Sequence, residues 1–295
     1  MTACALGHAH ESFLFHCSVF HKAAVDAYDI PVNTAMIGAV SVSLNLADEG
    51  ADFTSLDGLL AWVRGTTFKN VALTVNVTPA TYNYTAAAPV VLSPTTGLRS
   101  IKIANTSALG AQDVIFNVKG SGTLFQFDNV EVTMDYIKFI TTGAAAGVKL
   151  AAFNQCMSVL NTVRVDGYPA GFALAGGAMT MNDSLFTGGG DNGTDCIALD
   201  HGASLYGLNL NLNGKGVSAA KANGITAQRG SVVVLDGTLT MNWCIAGLKQ
   251  LTGARFINGA AVTAANNTAN LNVTVNKINH DGGYISDGGA LTLLT

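Results

Sequence analysis

Apolar and polar residues alternate along 130–139 (VEVTMDYIKF), and the same alternation returns along 157–165 (MSVLNTVRV) at an offset of 26. Met134, Asp135, Ile137, Lys138 and Phe139 fall on Leu160, Asn161, Val163, Arg164 and Val165. Each copy reads as a short strand with one buried face, with Asp or Asn before its last apolar pair. Looser echoes follow at 179–186 (MTMNDSLF), 205–212 (LYGLNLNL), 232–239 (VVVLDGTL) and 271–278 (LNVTVNKI). A strand that recurs at short intervals, with turns between and no room for a long helix, is the pattern of a solenoid that winds one coil per repeat. The expected fold is all-β, a right-handed single-stranded parallel β-helix. It should hold roughly seven to nine coils over residues 67–295, a rod of about 35 to 45 Å. Asp135, Asn161, Asn182 and Asp236 occupy similar places in the repeats, and short polar side chains stacked there can satisfy backbone N–H groups at a turn.

Two stretches break the pattern. Residues 1–47 mix apolar side chains with His8, His10, His16 and His21 and read as a separate N-terminal attachment or assembly segment. Cys17 and His21 stand one helical turn apart, but no carboxylate or second Cys/His pair has zinc-site spacing, so no metal site is expected. Residues 48–295 form the second division and open with an α-helix over 55–64. Thr54 is its expected cap, Asp57 suits the positive N-terminal end, and Gly65 stops it. Leu56, Leu59, Leu60 and Val63 make one apolar stripe. An open solenoid end exposes unpaired backbone and core, and such a helix serves as its lid.

Charged residues make up 12% of the chain, about half the ~25% of an ordinary domain. That suits strands stacked in register, where a charged row would set like against like. A net charge of −4 without a Lys/Arg cluster excludes a phosphate-binding footprint and so argues against nucleic acid. No apolar run reaches the ~20 residues needed to span a bilayer, so no membrane insertion is expected. Cys4, Cys17, Cys156, Cys196 and Cys244 show no disulfide-like spacing. The last three open apolar runs, as reduced thiols buried as small hydrophobes would, which fits assembly in a reducing cytoplasm.

The order GADFTSLDGLLAWV, LTVNVTPATYNYTAAAPVVL, LRSIKIANT, over about residues 50–105, resembles the opening of pectate-lyase-like β-helices in bacteriophage tailspikes and tail fibres. There a GADxT stretch leads into a capping helix, a strand, a turn of GTY type and the first coils. Here Pro79-Ala-Thr-Tyr82 stands where Asp-Gly-Thr-Tyr is usual. The resemblance implies a virion protein assembled in the host cytoplasm and carried on the phage tail. It implies a homotrimer held to other tail or baseplate proteins by the N-terminal segment, with host-surface polysaccharide as the contacted ligand. Residues 282–295 (GGYISDGGALTLLT) end in an apolar strand without a charged cap, and three such ends could cover one another.

One stretch could carry chemistry: Asp191-Asn-Gly-Thr-Asp195-Cys-Ile-Ala-Leu-Asp200-His201. Glycoside cleavage needs two carboxyl groups about 5 to 9.5 Å apart, and Asp195 and Asp200 could flank a coil face with Asp191 and His201 close by. Asp195-Cys-Ile-Ala is similar to the DDCIA segment of polygalacturonase-like β-helix hydrolases, although Thr194 replaces the first Asp and no Arg-x-Lys follows. The competing reading makes all three aspartates solvated turn residues. Lyase chemistry is weaker, because it needs cations near the base and Lys and Arg are scattered. No cofactor is expected. Two functions are therefore set against each other: a structural virion component for host attachment, and a polysaccharide depolymerase.

Overall fold

The structure is a computed structural model, which describes residues 36–46, 50–85, 90–92, 97–107, 114–118, 123–141, 149–168, 170–188, 194–214, 222–251, 253–267, 269–273, 279–280 and 285–287. The chain divides into Met1–Ile30 and Pro31–Thr295, and every described residue belongs to the second unit. Asp191, the four N-terminal histidines, Cys4, Cys17 and nearly all of the C-terminal stretch lie outside the described residues.

The described chain is mostly strand, with one helix and one long sheet of 23 strands. The strand pairings among the described residues are parallel, and they fall into three ladders. The first runs through Met36–Leu44, Phe68–Val77, Leu98–Asn105 and Glu131–Asp135. It continues through the later halves of Lys149–Asn161 and Ala170–Asn182, the early halves of Ser204–Asn213 and Val232–Asn242, then Arg255–Asn258 and Asn279–His280. The second begins at Ala80–Tyr84 and Val114–Val118 and ends at Ala261–Ala265 and Ile285–Asp287. The third joins Val90–Leu92 to Phe125–Asp128 and later holds Thr194–Asp200, Ala222–Ala227, Ala246–Gln250 and Ala269–Val273. From Phe68 onward the chain visits first, second and third ladder in turn and then returns to the first, a cycle compatible with a β-helical solenoid.

The register agrees with the internal repeat. Met134 pairs with Leu160, Asp135 with Asn161, Lys138 with Arg164 and Phe139 with Val165. The echo at 271–278 belongs elsewhere: Leu271 pairs with Leu248 in the third ladder, and the first-ladder strand of that region is Arg255–Asn258. Alternation alone cannot tell one ladder of a coil from the next. Strand Met36–Leu44 also begins the sheet upstream of residue 48, because Val40, Val42 and Leu44 pair with Leu73, Val75 and Val77.

Corners between the first and second ladders turn on one residue in the left-handed region: Tyr136 (φ 59°), Thr162 (φ 52°), Asp183 (φ 50°) and Asn209 (φ 55°). Asp and Asn tolerate that region, whereas Tyr and Thr are strained there. The corner N–H groups of Tyr136 and Thr162 donate to the carbonyls of Asn161 and Asn182 one coil on, at 2.9 and 2.8 Å. Asn161 Nδ2 donates to Asp135 Oδ1 at 2.7 Å, and Asn182 Nδ2 to Asn161 Oδ1 at 2.8 Å. The expected polar ladder therefore forms through those three, and Leu208 separates Asn182 from Asp236. Gly97 is required by its backbone: φ is +77°, and a Cβ there would sit 1.7 Å from the Phe68 carbonyl oxygen.

The helix, α1, spans Leu56–Gly65. Its cap is Ser55 rather than Thr54, with Ser55 Oγ accepting from the Gly58 N–H at 3.1 Å. Leu56, Leu59, Leu60 and Val63 are buried as the stripe predicts, and Trp62 joins them. Trp62 packs edge-on against Phe68, ring centroids 5.7 Å apart. Asp57 accepts from the Thr85 N–H and hydroxyl at 3.1 and 2.9 Å, which ties the helix to the end of strand Ala80–Tyr84. Inside the coils an aromatic column links Tyr82, Phe116, Phe139, Phe125 and Phe127, then Phe153, Phe172 and Phe186, with successive centroids 5.1 to 6.3 Å apart. Such contacts add to the free energy of burying each ring. Cys156, Cys196 and Cys244 are buried and unpaired, and burial raises all three thiol pKa values, that of Cys244 to about 11.

Candidate functional site

Asp195 and Asp200 lie near the two ends of one third-ladder strand, Thr194–Asp200. Five residues of extended chain separate them by about 16 Å along the strand, beyond the ~9.5 Å of an inverting carboxyl pair. Each is held by its own partners, so the pair does not converge on a common point.

Asp195 is half-buried and faces the neighbouring strand Ala222–Ala227, where it pairs in register with Asn223. Asn223 Nδ2 donates to Asp195 Oδ1 at 2.8 Å, and the Thr226 hydroxyl donates to the same oxygen. Asn223 is 3% and Thr226 7% exposed. Buried polar groups of this kind must be bonded, and the carboxylate satisfies both. Along the register row of Thr226, Ala173 pairs with Ala198, Ala198 with Thr226, and Thr226 with Lys249. The result is a small polar spot with alanines in register on one side of Thr226 and Lys249 on the other.

Asp200 ends the strand at the corner into the first ladder. Arg229, at the equivalent corner one coil on, donates to both carboxylate oxygens through Nε and Nη2. The His201 N–H donates at 2.7 Å, and His201 Nδ1 lies 3.3 Å from Oδ2. Partial burial pushes the Asp200 carboxyl up. The hydrogen bonds from Arg229, His201 and Gln228 outweigh it, and the net effect holds the group below its usual range. A bidentate Arg–carboxylate pair is a strong, directional lock, and here it joins two left-handed corners, His201 (φ 52°) and Arg229 (φ 48°). A similar polar link lies two coils earlier, where Asn154 Nδ2 donates to Asp128 Oδ1. Through Asn154 and Ala175 that corner is in register with Asp200.

The structure thus brings Asp200 and His201 together, leaves Asp195 apart, and adds Asn223, Thr226 and Arg229, which the sequence reading did not single out. Their signal was the repeat itself: Gln228-Arg229-Gly230 is the next copy of Asp200-His201-Gly202. Among the described residues no group of three His, Cys, Asp or Glu side chains is placed to hold a metal ion. No helix among them is long and apolar enough to cross a membrane. No family model, curated protein or solved structure matches the chain.

Proposed function

We propose that this chain is a structural component of a bacteriophage tail, a tailspike or tail fibre, that attaches the particle to host-surface polysaccharide. In this reading the three ladders wind as a right-handed β-helix, since a crossover between parallel strands of one sheet is right-handed in about 98% of cases. The residues ahead of strand Met36–Leu44, which is itself the first strand of the sheet, attach it to other tail proteins, and three copies assemble in the host cytoplasm around one axis. The observation that carries the reading is the order of parts over residues 50–105, in which a helix buried through Leu56, Leu60 and Val63 is followed by the parallel strands Phe68–Val77 and Ala80–Tyr84. The family resemblance rests on that same stretch.

The alternative, a polygalacturonase-like depolymerase with Asp195 and Asp200 as acid and base, is disfavoured by their separation and by the Arg229 lock on Asp200. Two assays test the proposal together. Fluorescently labelled protein is bound to a panel of bacteria before and after periodate oxidation of their surface glycans, and incubation mixtures are assayed for new reducing ends. Periodate-sensitive binding without new reducing ends is the expected result. New reducing ends would favour the depolymerase, and failure to bind any strain would count against attachment.

A further inference from the structure

Three successive second-ladder segments, 211–213, 238–242 and 261–265, end at corner residues that lie in register: Gly214, Trp243 and Asn266. The Gly214 N–H donates to the Asn242 carbonyl at 2.9 Å, and the Trp243 N–H to the Ala265 carbonyl at 3.1 Å. Trp243 stands in the left-handed region, φ 55°, where a bulky side chain is strained. Its indole is nevertheless only half-buried, whereas the other tryptophan, Trp62, is buried against Phe68. An outlier held without full burial of its ring points to a use for the ring. Its neighbours along the corner are unequal. Gly214 carries no side chain, since a Cβ there would sit 2.6 Å from the Ala222 carbonyl oxygen, and Asn266 is exposed.

Beside that corner the same segments present neutral polar side chains. Asn211, Thr240 and Thr263 share one register column, and Asn242 lies in the next, against the corner. The alternate residues Leu212, Leu239, Met241 and Val262 are buried, so alternation turns the polar ones outward. The side-chain amides and hydroxyls of Asn211, Thr240, Asn242, Thr263 and Asn266 have no hydrogen-bond partner among the described residues. Second-ladder segments 185–188, 211–213, 238–242 and 261–265 hold no charged residue, whereas earlier on this face Lys138 and Asp166 form an ion pair. An amide and a hydroxyl each donate and accept, as sugar hydroxyls do, and an indole face packs on the C–H face of a pyranose. An aromatic ring with a few placed polar groups is the composition of a ligand site. An acidic polymer would find no cation here, and an apolar partner would leave the amides unpaired at a cost. The ~4.8 Å strand spacing is close to the length of one pyranose unit in an extended chain, so three coils accommodate two or three sugars.

We propose that Trp243 and the side chains of Asn211, Thr240, Asn242, Thr263 and Asn266 form a binding site for an uncharged glycan, with the indole as its stacking platform. The inference rests on the attachment reading above and gives it a face and a glycan class. The test titrates the full chain with surface polysaccharides released from the strains of the binding panel and separated by anion exchange into neutral and acidic fractions. Heat and tryptophan emission are followed together. A neutral fraction should bind and shift the emission, which reports Trp243 because Trp62 is buried. Trp243→Asn places a residue that tolerates the left-handed region, so it should melt at or above the wild-type temperature and yet bind tenfold or more weakly. Thr240→Val/Thr263→Val should weaken binding threefold or more, and Tyr206→Ala, an exposed aromatic of the first ladder, should leave it unchanged. If Trp243→Asn loses its β spectrum, the double valine variant decides, and an unchanged affinity overturns the proposal. Binding confined to acidic fractions, or lost only in Tyr206→Ala, also overturns it. Cells bound in a periodate-sensitive way without binding of any neutral fraction, or with full binding by both variants, overturn the site and leave attachment standing. A wild-type chain that binds no strain overturns both.

Discussion

Replacing Leu60 with Asp tests whether α1 is a lid or an ornament. Leu60 is 4% exposed, and Leu56, Leu59, Trp62 and Val63 around it are all buried. Removing the leucine forfeits about 2 kcal/mol of burial and leaves a void with a further cost, together about 2 to 5 kcal/mol. The carboxyl group, which protonates rather than staying charged in an apolar contact, costs roughly 1 to 3 kcal/mol more without a hydrogen-bond partner. The sum, about 3 to 8 kcal/mol, corresponds at about 2 °C per kcal/mol to a melting temperature lower by roughly 6 to 16 °C for a chain of this size. Leu60→Met keeps volume and polarity and should cost under about 1.5 kcal/mol. Because repeat stability is a sum of local and neighbour terms, the loss should appear first beside the helix. Hydrogen exchange at Val71, Leu73 and Val75 should accelerate before the aromatic column loosens. Melting of Leu60→Asp within a degree of wild type, or uniform acceleration of exchange, would refute the lid.

Asn161→Ala removes one bond to Asp135 and one from Asn182. It should cost about 2 kcal/mol, read as a lower urea midpoint with an unchanged slope. Phe153→Ala opens the aromatic column between Phe127 and Phe172 and should cost about 3 to 5 kcal/mol by thermal unfolding. The Asp200–Arg229 lock carries a pH signature. The folded carboxyl lies below its ordinary value, so its contribution is fully present above the unfolded pKa of about 3.9 and is lost as pH falls through the folded value. Urea midpoints taken from pH 6 down to pH 2 should therefore fall less steeply in Arg229→Met than in the wild type, and parallel profiles would show that the lock contributes nothing.

The periodic parts of this fold were legible because burial imposes them. Leu160 and Met134 must both face the core, so the 26-residue offset of their segments translates directly into strand register. The helix was legible for the same reason, its stripe being Leu56, Leu59, Leu60 and Val63. The cap was off by one residue, since Thr54 and Ser55 are both good caps and only the backbone turn selects the serine, whose φ of −142° is extended. The misplaced echo at 271–278 has another origin. Leu248 and Leu271 alternate like first-ladder residues, and a coil with three alternating faces gives all three the same signature.

The candidate site was harder to read because its partners come from the next coil at offsets the local sequence does not advertise. Asp195 meets Asn223 and Thr226, while Asp200 meets Arg229. Reading Asp195, Asp200 and His201 as one cluster took closeness in sequence for closeness in space, which holds on a helix and fails along a strand rising ~3.3 Å per residue. In a parallel stack the neighbours of a side chain are the residues in register one coil before and after it, about 4.8 Å away. A functional constellation in such a chain must therefore be sought across coils. Applied to the whole sheet, that rule relates the two features the sequence left separate. Where registered neighbours are Asp, Asn and Arg, as at Asp135–Asn161–Asn182 and Asp200–Arg229, the stack is bonded to itself. In the column of Val159, Thr180, Tyr206 and Val234, the registered side chains offer one another little polar bonding, and the stack there is held by its backbone ladder and by the buried alternate residues Leu160, Met181, Leu205 and Val233.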